Sequence, residues 1–354
     1  MAAWINGARV DREAALTAAA AVIAEARLPA IAGLVADVDG IRAGIRLAEV
    51  VGGIVDPLAS TELYAALAGF AASGTIATTP AEALARADFV LAIGEAAAAS
   101  SMLRRLASRG PVTGRTAGAL RRIVALGGVP PPDVGHMAHP LHLAGLPASI
   151  GLLRAVTAGR IAADPEVTAL AENLRTARFG VVLYDPGELG ELASQMLTEL
   201  LQELNDTARC FALPLADAWQ GQCVIQVSAW TTGLPPRQGF GRGSAEHDPW
   251  RFDLRRAVSA GEVDAVLWLA SLPAPAPSGP ERPELALLGE PTGDEARIVI
   301  EVGVPGVVCD GAVWDDCRGA IEHRAAARQG EAITAADALA RLGCEALRFR
   351  RAPC

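Results

Sequence analysis

Along the first half of the chain, short continuous apolar runs alternate with stretches in which apolar residues recur at helical spacing. Residues 4–10 are short and strand-like. Asp11 caps a helix running to about residue 27, with Leu16, Ala19, Ala20 and Ile23 on one face. Pro29 stops that helix, and residues 30–34 read as a buried strand. A helix over 41–51 ends at the Gly52-Gly53 pair, and Ile54-Val55 is a short strand. A short helix over 81–87 leads into 88–94, the clearest parallel strand of this half, and a helix over 96–109 follows. This rhythm predicts a doubly wound α/β sheet.

Pro130, Pro131 and Pro132 break the pattern, and the segment to Pro147 reads as an irregular crossing linker. Helices over 149–158 and 165–176 precede a second unit. In that unit residues 179–184 read as a strand, 189–205 as a helix and 223–229 as a strand. A long loop over 230–250 comes next, then a helix over 253–260 and a buried strand over 265–270. Residues 273–283 are Pro-rich. One more strand over 297–302, a pair of short strands over 307–321 and a helix over 335–342 complete the chain. The expected organisation is α/β, with two doubly wound Rossmann-like domains over 1–147 and 148–290 and a C-terminal return segment over 291–354.

Composition narrows the function classes. The 354 residues suffice for two cores. A net charge of −9 disfavours nucleic acid, whose phosphates require a basic surface. Every basic side chain apart from histidine is arginine. No apolar run is long enough to span a bilayer, and the Ala-rich stretch after Ala14 lacks the basic flank and cleavage site of a signal peptide. The six cysteines show no CxxC spacing, so reduced thiols in a cytoplasmic protein are expected.

The loop over 230–250, WTTGLPPRQGFGRGSAEHDPW, is the most informative segment. Its glycines and prolines rule out a helix interior or a central strand, and a long shaped loop in a compact domain serves binding or an interface. Trp230 and Trp250 flank it and are expected to anchor it by burial. Arg237 and Arg242 suit either an anion or the carboxylates of another chain. His247 stands between Glu246 and Asp248, an acid–base composition without a serine elbow, so loop-shaping contacts outweigh catalysis.

Two further patterns are weighed against plainer readings. His136, His139 and His142 have HxxHxxH spacing. However, Pro140 inside the motif and the prolines before it favour a solvated or interfacial loop over a zinc site. Gly94-Glu95-Ala96 sits where a parallel strand meets a helix, a turn that elsewhere holds phosphate. Here Glu95 is expected to cap the turn itself and to repel a phosphate.

The segments Trp230-Thr231-Thr232-Gly233-Leu234-Pro235, Gly239-Phe240-Gly241-Arg242-Gly243, Asp248-Pro249 and Gly261-Glu262-Val263-Asp264-Ala265-Val266-Leu267 resemble the B subunit of formylmethanofuran dehydrogenase. So do residues 30–33, 48–56, 87–90 and 307–324, so the resemblance covers nearly the whole chain. It implies the fold of the molybdopterin oxidoreductases, without their N-terminal iron–sulfur domain. In that family the resemblance implies a four-cysteine cluster and a molybdenum or tungsten atom held by two pterin guanine dinucleotides. This chain has no cysteine before Cys210, and begins beyond the place of the cluster ligands. The resemblance places the metal ligand just after Asp56, within residues 57–64, and no cysteine is there; Ser60 would be an oxygen stand-in. Gly94-Glu95-Ala96 and Ser271-Leu272-Pro273 replace the family's cofactor turns.

These departures make the chain similar to the B subunit of the bacterial formyltransferase/hydrolase complex. As the resemblance implies, that complex moves a formyl group from tetrahydromethanopterin to a methanofuran analogue and releases formate. Its partners are an amidohydrolase-like hydrolase subunit, a formyltransferase subunit and a further structural subunit. The expectation is a scaffold without its own catalytic residues, cofactor or metal, in which Trp230, Arg237, Arg242, His247 and Trp250 form an interface or ligand loop. The alternatives are a redox subunit with a molybdenum or tungsten pterin, and a binder of a small molecule or polyglutamate tail through Arg237 and Arg242.

Overall fold

The computed structural model describes residues 2–58, 64, 67, 74–135, 138–141, 145–215, 219–275, 283–328, 330 and 332–351. Contacts group the chain into two compact units. One comprises Met1–Ser60, Asp217–Asp315 and Ile321–Cys354, the other Thr61–Ala216 and Asp316–Ala320. This interleaved grouping does not coincide with a linear division at 147 and 290. Position 147 falls inside the helix Leu146–Thr157, and the chain re-enters the first unit at Asp217, leaves it for Asp316–Ala320 and re-enters it at Ile321.

The first unit is built on a nine-stranded sheet. Its centre is parallel: β3 (Pro29–Val35) pairs with β4 (Ile54–Pro57) on one side and β12 (Ala265–Ala270) on the other. β13 (Leu285–Leu288) and β14 (Ile298–Glu301) continue the parallel run. The hairpin of β1 (Ala3–Ile5) and β2 (Ala8–Val10) closes one edge antiparallel to β14. At the other edge lie β10 (Gln238–Gly239) and β11 (Glu246–His247), β10 antiparallel to β4.

Side chains alternate across these strands, so each face carries its own core. Ile31, Val55, Leu267, Leu285 and Ile298 point to one face, where they meet the helices Arg12–Glu25, Val38–Val51, Gly221–Thr232 and Ala335–Arg351. Ala30, Ile54, Val266, Trp268 and Val299 point to the other, against Phe252 and the helix Leu254–Ser259. Each fully buried Leu or Ile stabilises by ~1.5–3 kcal/mol, so the two-sided core dominates the stability of this unit.

The second unit holds a five-stranded, wholly parallel sheet. Its order is β7 (Ala138–Leu141), β6 (Arg122–Leu126), β5 (Phe89–Ile93), β8 (Gly180–Tyr184), β9 (Cys210–Pro214). Leu91 and Val182 face a core with the helices Leu146–Thr157, Pro165–Thr176 and Pro186–Asn205. Val90 and Val181 face another with Pro80–Arg86 and Ser101–Ser108. The α/β class and the parallel sheets are therefore as expected. No helix among the described residues is long and apolar enough to cross a membrane.

Several elements differ from the expectation. Residues 223–229 are helical, inside Gly221–Thr232. Cys223, Val224, Val227 and Ser228 are buried at helical spacing, and Gly233 ends the helix in a left-handed cap. The irregular segment before Pro147 contributes β7 to the sheet, paired with β6. The expected terminal helix over 335–342 runs on to Arg351. A two-stranded sheet of β15 (Gly311–Asp315) and β16 (Ala320–Arg324) stands where a pair of short strands was expected.

Candidate functional site

The loop of the first unit is shorter and more ordered than its composition suggests. Trp230 belongs to the helix Gly221–Thr232, and the remainder is pinned to the sheet edge by the β10–β11 hairpin. Arg237 enters β10 with φ 54, a left-handed conformation that costs a non-glycine residue about 1–2 kcal/mol. Its side chain shows what offsets that cost. Nε donates to Asp56 Oδ1 at 3.2 Å, Nη1 to the Pro249 carbonyl at 2.6 Å, and Nη2 lies 2.6 Å from Asp253 Oδ2. The second oxygen of Asp56 accepts from the Leu254 amide at 2.8 Å. Burial pushes the Asp56 carboxyl up to about 7, against the pull of the Arg237 guanidinium and the Leu254 amide.

His247 supports the same corner. Its Nδ1 lies 2.7 Å from the Pro236 carbonyl and 3.2 Å from that of Arg237; since carbonyls only accept, Nδ1 carries the proton in this arrangement. Gln238 is fully buried, and its amide nitrogen donates to Thr232 Oγ1, the Leu234 carbonyl and the Pro235 carbonyl. Backbone that would otherwise be loop is thereby tied to the helix before it.

The outer face of the hairpin is different. Trp250 is 71% exposed, with the Arg256 guanidinium 4.7 Å from its ring centroid. Arg242 and Arg251 both reach Glu246, at 2.9 and 3.6 Å. The Asp248 carboxylate accepts from the amides of Trp250 and Arg251; these bonds hold it below the usual carboxylate range.

In the second unit, the turn between β5 and the helix Glu95–Ala99 is occupied by protein. The carboxylate of Glu188 accepts from the amides of Glu95 at 2.8 Å and Ala96 at 3.0 Å. Gly94, at φ 89, makes room: a Cβ there would lie 2.4 Å from Glu188 Oε2. Glu95, expected to cap this turn, instead accepts from the Val129 amide at 3.2 Å. In the first unit a cavity of 290 Å³ lies beyond the ends of β12 and β13, lined by Trp268, Ser271, Leu272, Gly289, Glu290 and Glu295.

No family model matches the chain. It is 44% identical over 351 residues to the B subunit of the formyltransferase/hydrolase complex Fhc from Methylorubrum extorquens, with 97% of each chain covered. The chain belongs to the family of Fhc B subunits. A solved structure is similar throughout: the X-ray crystal structure of the formyltransferase/hydrolase complex (FhcABCD) from Methylorubrum extorquens in complex with methylofuran. There the match has a TM-score of 0.92 at 43% identity and covers 98% of this chain and 99% of the other.

In this member of the Fhc family, the structure sorts the residues singled out from the sequence. Arg237 and His247 come together with Asp56 and Asp253 in a buried corner. Arg237 is thus paired within its own chain, rather than holding an anion or the carboxylates of another chain. Trp230 and Trp250 are 53% and 71% exposed, so neither anchors the loop by burial. Arg242 remains on the surface beside Glu246. His139 stands in β7 opposite Val124, while His136, His142 and Ser60 lie outside the described residues.

The pterin dinucleotide implied by the likeness to the dehydrogenases does not fit the first altered turn. A pyrophosphate there would meet the carboxylate of Glu188. Sequence reasoning missed Asp56, Asp253 and Glu188 as partners. Asp253 was visible only as a helix start, and nothing local in Asp185-Pro186-Gly187-Glu188 signals a contact 93 positions away.

Proposed function

We propose that this chain is the non-catalytic structural subunit of a cytoplasmic formyltransferase/hydrolase complex. The observation that carries the reading is the full-length match, in sequence and in structure, to the B subunit of such a complex. In one-carbon metabolism that complex would convert formyl-tetrahydromethanopterin to formate through a formylated methanofuran analogue. An amidohydrolase-like subunit, a formyltransferase subunit and a further structural subunit would supply the remaining parts, and the chain keeps an inherited molybdopterin-oxidoreductase architecture. Plugging of the β5 turn by Glu188 supports a role without cofactor.

The loop residues divide accordingly. Arg237 and His247 hold the hairpin, while Trp230, Arg242 and Trp250 remain at the surface as the interface part. Co-expression with the three other subunits tests this reading. One stable complex containing this chain, without stoichiometric molybdenum, tungsten or pterin, is the expected result. A bound metal–pterin group in stoichiometric amount, or a chain that never joins the complex, would overturn it.

A further inference from the structure

The outer face of the β10–β11 hairpin combines an exposed indole with an unusually rigid support. Three contacts fix the backbone of Trp250. Asp248 accepts from its amide, Arg256 Nε donates to its carbonyl at 3.0 Å, and Arg237 Nη1 holds the preceding Pro249 carbonyl at 2.6 Å. The ring lies against the guanidinium of Arg256, which is itself gripped by both oxygens of Glu262 at 2.8 and 2.7 Å. The indole is nevertheless 71% exposed. Ordering a large apolar side chain in water gains nothing for the isolated subunit. It removes the entropic cost of docking, and Trp and Arg are the residues that dominate interface energetics.

Beside it, Arg242 and Arg251 are 72% and 52% exposed at their side chains and share the single carboxylate of Glu246. Asp248, also at the surface, accepts from the backbone amides of Trp250 and Arg251. Two guanidinium forks on one carboxylate leave N–H donors in excess, on a chain whose net charge is −9. A second copy is a poor occupant. A two-fold contact centred here would set Arg242 and Arg251 against their own counterparts.

We propose that this face is the docking site for a different subunit of the complex, one presenting carboxylates around a slot that receives the Trp250 indole. The inference rests on the subunit reading above, and adds which surface makes the contact and what chemistry it requires.

The test uses the full-length chain, purified and titrated against the purified remaining subunits. Circular dichroism and thermal melting confirm that each variant is folded. Trp250→Ala is expected to weaken assembly by roughly thirtyfold, the loss typical of an interface hot spot. The pair Arg242→Glu and Arg251→Glu is expected to weaken it further and to flatten its salt dependence. Leu120→Ala, an exposed apolar side chain of the second unit, is expected to leave affinity unchanged. Wild-type affinity in the folded Trp250 and arginine variants would overturn this docking face while leaving the subunit assignment intact. A wild-type dimer that Trp250→Ala converts to monomer would overturn it in favour of self-association. Failure of the wild-type chain to assemble at all would remove the subunit reading itself.

Discussion

Arg237 and Asp56 are 181 positions apart in sequence, yet their side chains meet at 3.2 Å with the guanidinium 11% and the carboxyl 6% exposed. The pair joins the edge hairpin to the end of β4, the same connection made by the backbone pairing of Gln238 with Val55. Removing Arg237 leaves the buried Asp56 carboxyl and the Pro249 carbonyl without their donor, a loss of about 1–3 kcal/mol. Arg237→Ala is therefore expected to lower the unfolding free energy measured in urea by that order. Arg237→Lys is expected to recover little, since an ammonium cannot reach Asp56, Asp253 and the Pro249 carbonyl together. A lysine variant as stable as wild type would refute the forked geometry.

The same pair sets a pH dependence. Asp56 is raised from 3.8 to about 7 by burial, so the folded state holds a proton that the unfolded chain has already released. The contribution of this carboxyl is fully present below about pH 4 and is lost as pH rises through 7. Asp56→Asn keeps the neutral form at every pH. Its stability relative to wild type should climb between pH 4 and 7 and level off above. Paired thermal melts across that window measure the difference, and a constant or falling difference would contradict the assignment.

Gly239 is required by a neighbour rather than by its own torsions. A Cβ at that position would stand 2.3 Å from Phe252 Cε1, and Phe252 is buried. Gly239→Ala should cost about 1–3 kcal/mol through overpacking. Adding Phe252→Leu should recover part of the loss, because the two changes share one space. Strict additivity in the double variant would show that the ring is not the obstacle.

These contacts explain what sequence reasoning reached and what it did not. Strands such as β5 and β12 were legible because parallel strands buried on both faces read as unbroken apolar runs. β6 and β13 were missed: Arg122-Ile-Val-Ala-Leu and Leu285-Ala-Leu-Leu are short, and only their partners make them strands. The hairpin was legible as a special segment from its glycines, prolines and arginines. Its division into a buried corner and an exposed face was not, because Asp56 and Arg237 are brought together only by the sheet. Arg121 shows the same limit in the second unit. No motif marks it, yet it is buried, with its guanidinium donating to the carbonyls of Leu84, Ala87, Leu106 and Arg109. Burial pulls it down to about 10.

Glu188 offers a direct test of the plugged turn. Glu188→Ala removes both acceptors from the amides of Glu95 and Ala96 at a partly exposed site, and should cost about 1 kcal/mol. Glu188→Gln keeps one carbonyl oxygen, so it should fall between wild type and alanine. Hydrogen exchange gives the local readout: the Glu95 and Ala96 amides should lose protection in the alanine variant while the amides of β5 keep theirs. Unchanged protection at Glu95 and Ala96 would mean that the carboxylate is not their acceptor.

The cysteines carry the argument about redox chemistry to the bench. Only a thiolate attacks a disulfide reagent, so reactivity follows exposure and ionisation together. Cys210 and Cys223 are buried, and burial pushes both thiols up to about 12; Cys309 is half-buried and also raised. Cys317 and Cys344 are exposed, and Cys354 lies outside the described residues. In native protein at pH 8, an aromatic disulfide reagent should modify Cys317 and Cys344 within minutes. Cys210 and Cys223 should react only after denaturant is added, and peptide mapping by mass spectrometry would identify the order. Fast native labelling of Cys210 or Cys223 would mean that the core around them opens. Their late labelling would place both thiols among packing residues, unable to serve as metal or redox ligands without unfolding the elements that bury them.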